Sequence, residues 1–382
     1  MKIINANIFS PENQFRLGEV EFDDGVIQAI HHLNSTSKER GADIIDLSGQ
    51  YLVPGFIELQ INGGFGKDFT ASPESIWEIA SKMPQFGVTS FLPTIITSPL
   101  DTVAKAQKIV TQDPGNDFCG ASPLGLHIEG PFLNPAKKGT HSEALIRNPS
   151  LEDIQNWTLD QGVKLVTLAP EQPNALQVIK ELTRRGIIVS AGHSNATFTQ
   201  AIQGFKAGIS YGTHIFNAQS PLNHRDPGLP GALLSRSNIT VGIIPDGIHI
   251  HPAVIELVWR LKGSENLTLV TDALIGLGMP PGQYIFGDFE IIVDHEVARK
   301  PDGTLSGSIL SEDQALRNFI KFTGCSLAEA LPTLTSTPAK VLGLSDRGKI
   351  KEGCIADFVV LNNDLKVVTT IASGKIAYKT KL

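Results

Sequence analysis

Cysteine is scarce in this chain. Cys119, Cys325 and Cys354 form an odd, scattered set without a Cys-x-x-Cys pair. A disulfide framework is therefore not expected, and ordinary thiols in a reducing compartment are. Apolar runs long enough to cross a membrane are also missing, and the opening MKIINANIFS has neither the apolar core nor the small-residue cleavage pattern of an export signal. A soluble, cytoplasmic protein is the expectation. Excess positive charge is absent: the net charge is −7 and the pI about 5.8. That argues against nucleic acid or an anionic membrane as a general partner, but leaves room for a small basic pocket. The sequence shows no internal repeat and no low-complexity tract. What is present is ordinary globular material. With 382 residues, 41% hydrophobic and 19% charged, the chain can build a large catalytic domain and a smaller companion.

The two ends read alike. KIINANIF, GEVEFDDG, VIQAIHHL and DIIDLSGQ at the start, and GKIKEGCIADFVVLNN and VVTTIASGKIAY at the end, have the alternation and turn residues of short strands. Neither end has enough apolar residues for a core of its own, so residues 1–53 and 344–382 are expected to combine into one small β-sandwich. The middle, 54–343, alternates apolar runs with amphipathic helical patterns. Candidate strands are 51–62, 90–97, 124–130, 164–171, 187–193, 211–216, 239–247 and 266–272, with helices such as ALQVIKELTRRG and PAVIELVWRLKG between most of them. Regular strand–helix alternation implies a parallel sheet, and eight such strands imply closure into a TIM-like (β/α)8 barrel. An open doubly wound sheet is the alternative, but no Gly-x-Gly-x-x-Gly turn follows the first strand.

Polar residues cluster at the ends of these runs. Gln60 and Asn62 end the first, His127 and Glu129 the third, His193 the fifth and His214 the sixth. Asp246 and His249 follow the seventh and Asp272 ends the eighth. Residues i and i+2 share a strand face, so Gln60 with Asn62, and His127 with Glu129, both point inward. A single buried histidine is most simply a satisfied core residue. Carboxylate and imidazole groups converging from five strand ends on one barrel mouth instead suit a catalytic metal, with Glu129, His193 and His214 leaving a fourth position for water and Asp272 nearby to move its proton. His127, one step deeper, is expected to hold a ligand by hydrogen bond. His31, His32 and His295 fall in turn or surface segments, and His251 before Pro252 reads as a helix cap. A second group lies in loops: His141 in KKGTHSE, and Asn217, the backbone at Ala218, His224 and Arg225 in HIFNAQSPLNHRDPG. Such donors suit a phosphate or carboxylate, or else simply stabilise the loops.

The segments PGFIELQINGGFG, LGLHIEGPFLNPAKKGTH, GHSNA, THIFNA, DGIH, LVTDA and GTLSGSIL together resemble the N-acetylglucosamine-6-phosphate deacetylases of the amidohydrolase superfamily. The resemblance runs nearly end to end. It implies a deacetylase of a phosphorylated amino sugar, with Glu129, His193 and His214 on the metal and Asp272 as general acid and base. It further implies His141 and Thr140 near the scissile amide, His249 with Asp246 at the sugar, Asn217, Ala218 and Arg225 at the phosphate, and Leu305, Ser306 and Gly307 beside the acetyl group. Gln60 and Asn62 would orient water or substrate. A homodimer or homotetramer in which Arg225 reaches a neighbouring subunit's site belongs to the same expectation.

Many superfamily members have His-x-His where this chain has Gln60-Ile61-Asn62, and a neutral amide is a far poorer transition-metal ligand than imidazole. Strand four has its lysine, Lys164, at its start, where it cannot bridge two metals. One divalent ion per chain is expected, Zn²⁺ first, with Fe²⁺, Co²⁺ and Mn²⁺ as alternatives. The competing readings are an N-acyl amino-acid deacylase and a noncatalytic scaffold on the same barrel; the second would be expected to lose metal ligands, which this chain keeps.

Overall fold

The apolar runs of the middle become eight parallel strands: β1 (Phe56–Ile61), β2 (Val88–Ile96), β3 (Leu126–Glu129), β4 (Val163–Leu168), β5 (Ile188–Ala191), β6 (Ile209–Gly212), β7 (Thr240–Ile243) and β8 (Leu267–Leu269). The computed structural model describes residues 1–39, 41, 43–286, 289–294 and 297–380. Each strand pairs in parallel with the next. The cylinder closes between its last and first strands: Asp272 N–H donates to Gln60 O at 2.9 Å and Asn62 N–H to Ala273 O at 2.8 Å.

Helices α1 (Ile76–Lys82), α2 (Leu100–Val110), α3 (Ala175–Arg184), α4 (Phe198–Ala207), α5 (Gly228–Leu234), α6 (Pro252–Lys262) and α7 (Glu312–Thr323) follow seven of the strands. Between β3 and β4 only short 3-10 turns stand, at Pro135–Lys137 and Glu143–Leu145. Spacing explains the packing: Ala175, Val178, Ile179 and Leu182 put one buried stripe on α3. Thr197 and Gln200 start α4 with a capping box, and the His251 side chain accepts the Ala253 N–H at the start of α6, as a cap should.

Both termini weave one sheet. Lys2–Phe9 lies between Phe15–Asp23 and Tyr51–Pro54, and Tyr51–Pro54 pairs antiparallel with Phe358–Leu361. The sheet curls until Val26 bridges Ile355, and its limbs meet over a core in which Phe22 and Phe358 stack edge-on at 5.5 Å.

Two expectations about elements need correction, and one sheet was not expected. Residues 51–62 are two strands, because the chain leaves the terminal sheet for the barrel at Gly55. There a Cβ would lie 2.0 Å from Thr89 Oγ1, so only glycine permits the crossing. The eighth strand is shorter than 266–272: past Val270 the backbone turns onto β1, with Asp272 at φ 48°. Finally, a small antiparallel sheet, Gly282–Phe286, Phe289–Val293 and Ala298–Arg299, follows β8 over its own core of Leu274, Ile275, Phe286, Ile291 and Val293. Its short alternating runs carry no signal that separates them from a loop.

Lys262, at the end of α6, is buried. Its Nζ donates to Leu233 O, Arg236 O and Ile239 O at 2.7–2.8 Å, closing the carbonyl end of α5. Burial pushes its pKa down to about 8. Lys262→Met would take the ammonium donor from three carbonyls, two of which keep long backbone contacts (Arg236 N–H on Leu233 O at 3.5 Å, Ile239 N–H on Arg236 O at 3.4 Å), and unsatisfied buried polar groups each cost about 1–3 kcal/mol. We expect a loss on the order of 2–3 kcal/mol, read from urea midpoints at pH 7.

Candidate active site

Four strand ends deliver the central residues, and the backbone bends sharply to do so. His193, His214 and Asp272 adopt φ values of 46°, 26° and 48°, in the left-handed region that non-glycine residues avoid. Such residues cost on the order of 1–3 kcal/mol each, and they persist only where their surroundings hold them. Gly192 lets the fifth strand end this way: a Cβ there would lie 2.7 Å from Thr167 Cγ2 and 2.9 Å from Thr213 Cβ.

Glu129, His193 and His214 converge. Glu129 Oε1 is 3.3 Å from His193 Nε2 and 3.1 Å from His214 Nε2, and the two imidazole nitrogens are 3.2 Å apart. One ligand atom from each residue lies within 4.8 Å of the others, and all three residues are buried. His193 Nδ1 faces Lys137 O at 2.8 Å, so Nδ1 carries the hydrogen and Nε2 presents its lone pair inward. Burial alone would raise Glu129, but the bonds and charges of the two histidines hold it well below the carboxylate range. Two ring nitrogens and a carboxylate oxygen turned onto one point are a donor set that a divalent cation satisfies.

Asp272 borders this point. Asn62 Nδ2 donates to its Oδ1 at 2.6 Å and Gln60 Nε2 at 3.3 Å; Gln60 Nε2 also reaches Glu129 Oε1 at 3.1 Å. Burial pushes the Asp272 pKa up, opposed by the charge of His214. His141 stands opposite, its Nε2 3.9 Å from Glu129 Oε2. Thr97 N–H donates to His141 Nδ1 at 3.2 Å, so the neutral ring carries its hydrogen on Nε2. Burial, with the charge of His193, lowers the His141 pKa to about 3, which keeps that ring neutral at pH 7.

The cavity over these groups measures about 250 Å³. Asn62, Thr140, Asn217, Ala218, His249, Leu305 and Gly307 line it with the residues above. Asp246 stands behind the wall: its Oδ2 meets His249 Nδ1 at 2.5 Å, and its Oδ1 accepts the Ile248 and His249 N–H groups. Gln60 acts from beneath the wall, and Ser306 is fully buried between two lining residues. Arg225 and His224 are exposed and not among the lining residues, so the chain by itself does not bring the guanidinium to the cavity. His127 bonds to Leu59 O and Thr167 Oγ1 (3.1 and 2.7 Å) instead of to Glu129, His193 or His214. His31 and His32 are exposed strand residues, and His295 lies outside the described residues. A larger cleft, about 330 Å³, opens beside the starts of β1 and β8 between Ser10, Pro332, Lys340 and Lys349, but it gathers no comparable groups.

The sequence reading missed Thr97, which sets the His141 tautomer, and Thr304 and Phe286, which reach the cavity from the segment after β8. It also missed Glu171, whose carboxylate gathers Asn134 Nδ2, Ser194 Oγ and Asn195 N–H around the His193 turn. None of them belongs to a pattern with a period.

Residues 51–377 match the Amidohydrolase family model. The chain belongs to the amidohydrolase family. This amidohydrolase is 36% identical to the N-acetylglucosamine-6-phosphate deacetylase of Lysinibacillus sphaericus, over 99% of this chain and 98% of that one. It is 35% identical to the N-acetylgalactosamine-6-phosphate deacetylase of Shewanella sp. (strain ANA-3), over 98% and 95%. The solved N-acetylglucosamine-6-phosphate deacetylase of Thermotoga maritima superposes with a TM-score of 0.89 at 33% identity, covering both chains completely. Among the described residues, no helix of this amidohydrolase is long and apolar enough to cross a membrane.

The Gly192 geometry yields a prediction. Gly192→Ala forces a methyl into the Thr167–Thr213 contact, and overpacking of this kind costs roughly 1–3 kcal/mol. The expected outcome is a denaturation midpoint lowered accordingly; an unchanged midpoint would mean that the turn before His193 relaxes freely.

Proposed function

We propose that this chain hydrolyses N-acetyl-D-glucosamine 6-phosphate to acetate and D-glucosamine 6-phosphate, using one divalent metal ion, Zn²⁺ first among the candidates. The observation that carries the reading is Asp272, its Oδ1 held by Gln60 and Asn62 beside the Glu129–His193–His214 cluster. Similarity over the whole chain to deacetylases of 6-phosphorylated amino sugars supplies the substrate class.

Glu129, His193 and His214 would hold the ion. When bound, it supplies Lewis-acid polarisation of the acetamide carbonyl and a water of lowered pKa. Asp272 takes the proton from the attacking water as the carbon–oxygen bond forms, then delivers it to the amine nitrogen as the carbon–nitrogen bond breaks. Its two held contacts both end on Oδ1, which leaves Oδ2 for this work. Nε2–H of His141 donates to the carbonyl oxygen as charge develops there. Gln60 and Asn62 turn their amide N–H groups toward carboxylates, which supports a single ion and not a second metal at the end of β1. His249, fixed by Asp246, would meet the sugar, and Thr140 would sit near the amide. Leu305, Ser306 and Gly307 would flank the acetyl group.

Asn217 and the backbone of Ala218 would meet the phosphate. Arg225 would complete that pocket from a neighbouring subunit of a homodimer or homotetramer, which is consistent with its exposure in the single chain. A cytoplasmic location fits the composition. We also read 1–53 with 344–382 as a domain distinct from 54–343, supported by their separate sheets and cores.

Acetate release from N-acetylglucosamine 6-phosphate, with and without chelator, tests the reaction. The galactosamine epimer is the necessary second substrate, given the Shewanella relative. Asp272→Asn should retain one metal by elemental analysis while kcat falls by roughly 10²–10⁴-fold. Activity within a few-fold of the parent would remove Asp272 from the mechanism.

Arg225→Ala should lower kcat/KM for the phosphorylated sugar by roughly 30–150-fold, the equivalent of about 2–3 kcal/mol for one charge-assisted contact. Turnover of unphosphorylated N-acetylglucosamine should hardly change. Equal slowing of both substrates would assign Arg225 to the fold or the subunit contact instead.

A further inference from the structure

Two buried carboxyl groups beside the first barrel strand take no part in the chemistry above. Glu58, on β1, and Glu312, the first residue of α7, are 0% and 1% exposed. Their surroundings differ sharply. Glu58 Oε1 accepts the Gln60 N–H at 2.7 Å, and Oε2 accepts the Thr271 N–H at 2.9 Å. Neither oxygen of Glu312 meets a protein donor of the ordinary kinds, but its carboxyl is within hydrogen-bonding reach of Glu58. Two buried carboxylates repel, so that contact attracts only with a proton in it. Burial pushes the Glu58 pKa up to about 7, opposed by Thr271 and by the Gln60 and Thr271 N–H groups that its two oxygens accept, bonds that are strongest to the ionised form. Glu312 has nothing else to bond and is the group that carries the hydrogen.

The two N–H groups gripped by Glu58 are informative. Gln60 is the residue whose side chain holds Asp272 and Glu129. Thr271 is the residue immediately before Asp272. Glu58 therefore ties the backbones of β1 and β8 together next to the proposed acid/base. That seam must tolerate Asp272 at a positive φ, with Asp272 N–H on Gln60 O.

We propose that Glu58 is a positioning residue for Asp272, a carboxylate clip across the closing seam of the barrel, kept in place by a proton resident on Glu312. The inference rests on the reading of Asp272 as the acid/base of the deacetylase. Burial, followed by the charge of Glu58, puts the Glu312 pKa well above the usual carboxylate range. The other titratable groups around the pair are Tyr211 of β6, whose hydroxyl is engaged with Thr268 at 2.6 Å, Asp313, which is paired with Arg317 at 2.7 Å, and Asp272 itself. Among these described groups, none places a cation against Glu312.

The unfolded chain releases the Glu312 proton near pH 4.5, whereas the folded chain keeps it. This group's contribution therefore favours folding most below that pH and declines as pH rises toward the folded value. An amide at 312 donates the same hydrogen at every pH and removes that decline.

The experiment has two arms on the full-length protein. In the first, Glu58→Gln should lower kcat by roughly 10–100-fold with KM within about threefold and one metal still bound, as expected when a reacting group is misplaced and substrate binding is spared. Wild-type kcat in this variant would overturn the positioning role. The second arm needs no substrate and stands even if Glu58→Gln fails to fold. Infrared difference spectra near pH 7 should contain a protonated-carboxyl band that disappears in Glu312→Gln. The wild-type thermal midpoint should fall more steeply between about pH 6 and about pH 9 than that of Glu312→Gln. An unchanged band, or equal slopes, would overturn the resident proton. Absence of deacetylase activity in the wild type would instead defeat the reading of the site and leave the second arm to decide the carboxyl pair.

Discussion

The seam between the first and eighth barrel strands is the contact on which the molecule depends. Asp272 N–H on Gln60 O and Asn62 N–H on Ala273 O close the cylinder, and the side chains of Gln60 and Asn62 then hold the Asp272 carboxylate. Closure of the barrel and placement of the Asp272 carboxylate are thus one event. A barrel left open here would lose its last ladder and, with it, the only described donors on Asp272 Oδ1. β8 is short because its continuation is spent on this turn, where the local conformation is unfavourable and the hydrogen bonds around it must compensate.

The same economy governs the interior. Thr94, His127, Thr167, Ser190 and Thr213 are buried in a connected set: His127 reaches Thr167, Thr167 reaches Thr213, and Ser190 reaches Thr213, at 2.6–2.7 Å. Thr213 precedes His214 and Thr167 packs against the Gly192 turn. The hydroxyls therefore fix the backbone under two of the three clustered residues, while their own polar atoms stay satisfied in a low-dielectric interior. His127 belongs to this layer. Burial drives its pKa down to about 4, so it serves as a neutral hydrogen-bonding group.

Electrostatically, the cavity divides its carboxylates by environment. Glu129 faces two imidazoles and stays ionised. Asp272 has amide donors on one oxygen and is pushed upward by burial. Separating the affinities of neighbouring carboxyl groups is how a single site can hold a cation with one and move a proton with the other. The distance from Glu129 to Asp272 is bridged by Gln60 Nε2, which donates to both and keeps them from meeting directly.

Much of this was legible in the chain. Eight apolar runs alternating with helical stripes determined a parallel barrel, because buried strands and amphipathic helices each impose their own period. Polar residues closing those runs determined where the polar side chains gather, since a strand's period of two sends Gln60 with Asn62, and His127 with Glu129, to one interior face. The ends were readable as short strands for the same reason. The rest came from contacts between residues far apart in the chain. Gly55 splits a continuous apolar run only because Thr89 lies against it. Thr97 and Glu171 act on His141 and the His193 turn through single hydrogen bonds that leave no periodic trace. Arg225 sits in a segment whose composition suggested a phosphate contact, but its distance from the cavity is set by how the loop folds over the barrel. Local patterns determine which face of an element is buried. Only the closed tertiary structure decides which polar atoms meet across it, because those meetings depend on register, close approach and the backbone angles that each turn can sustain.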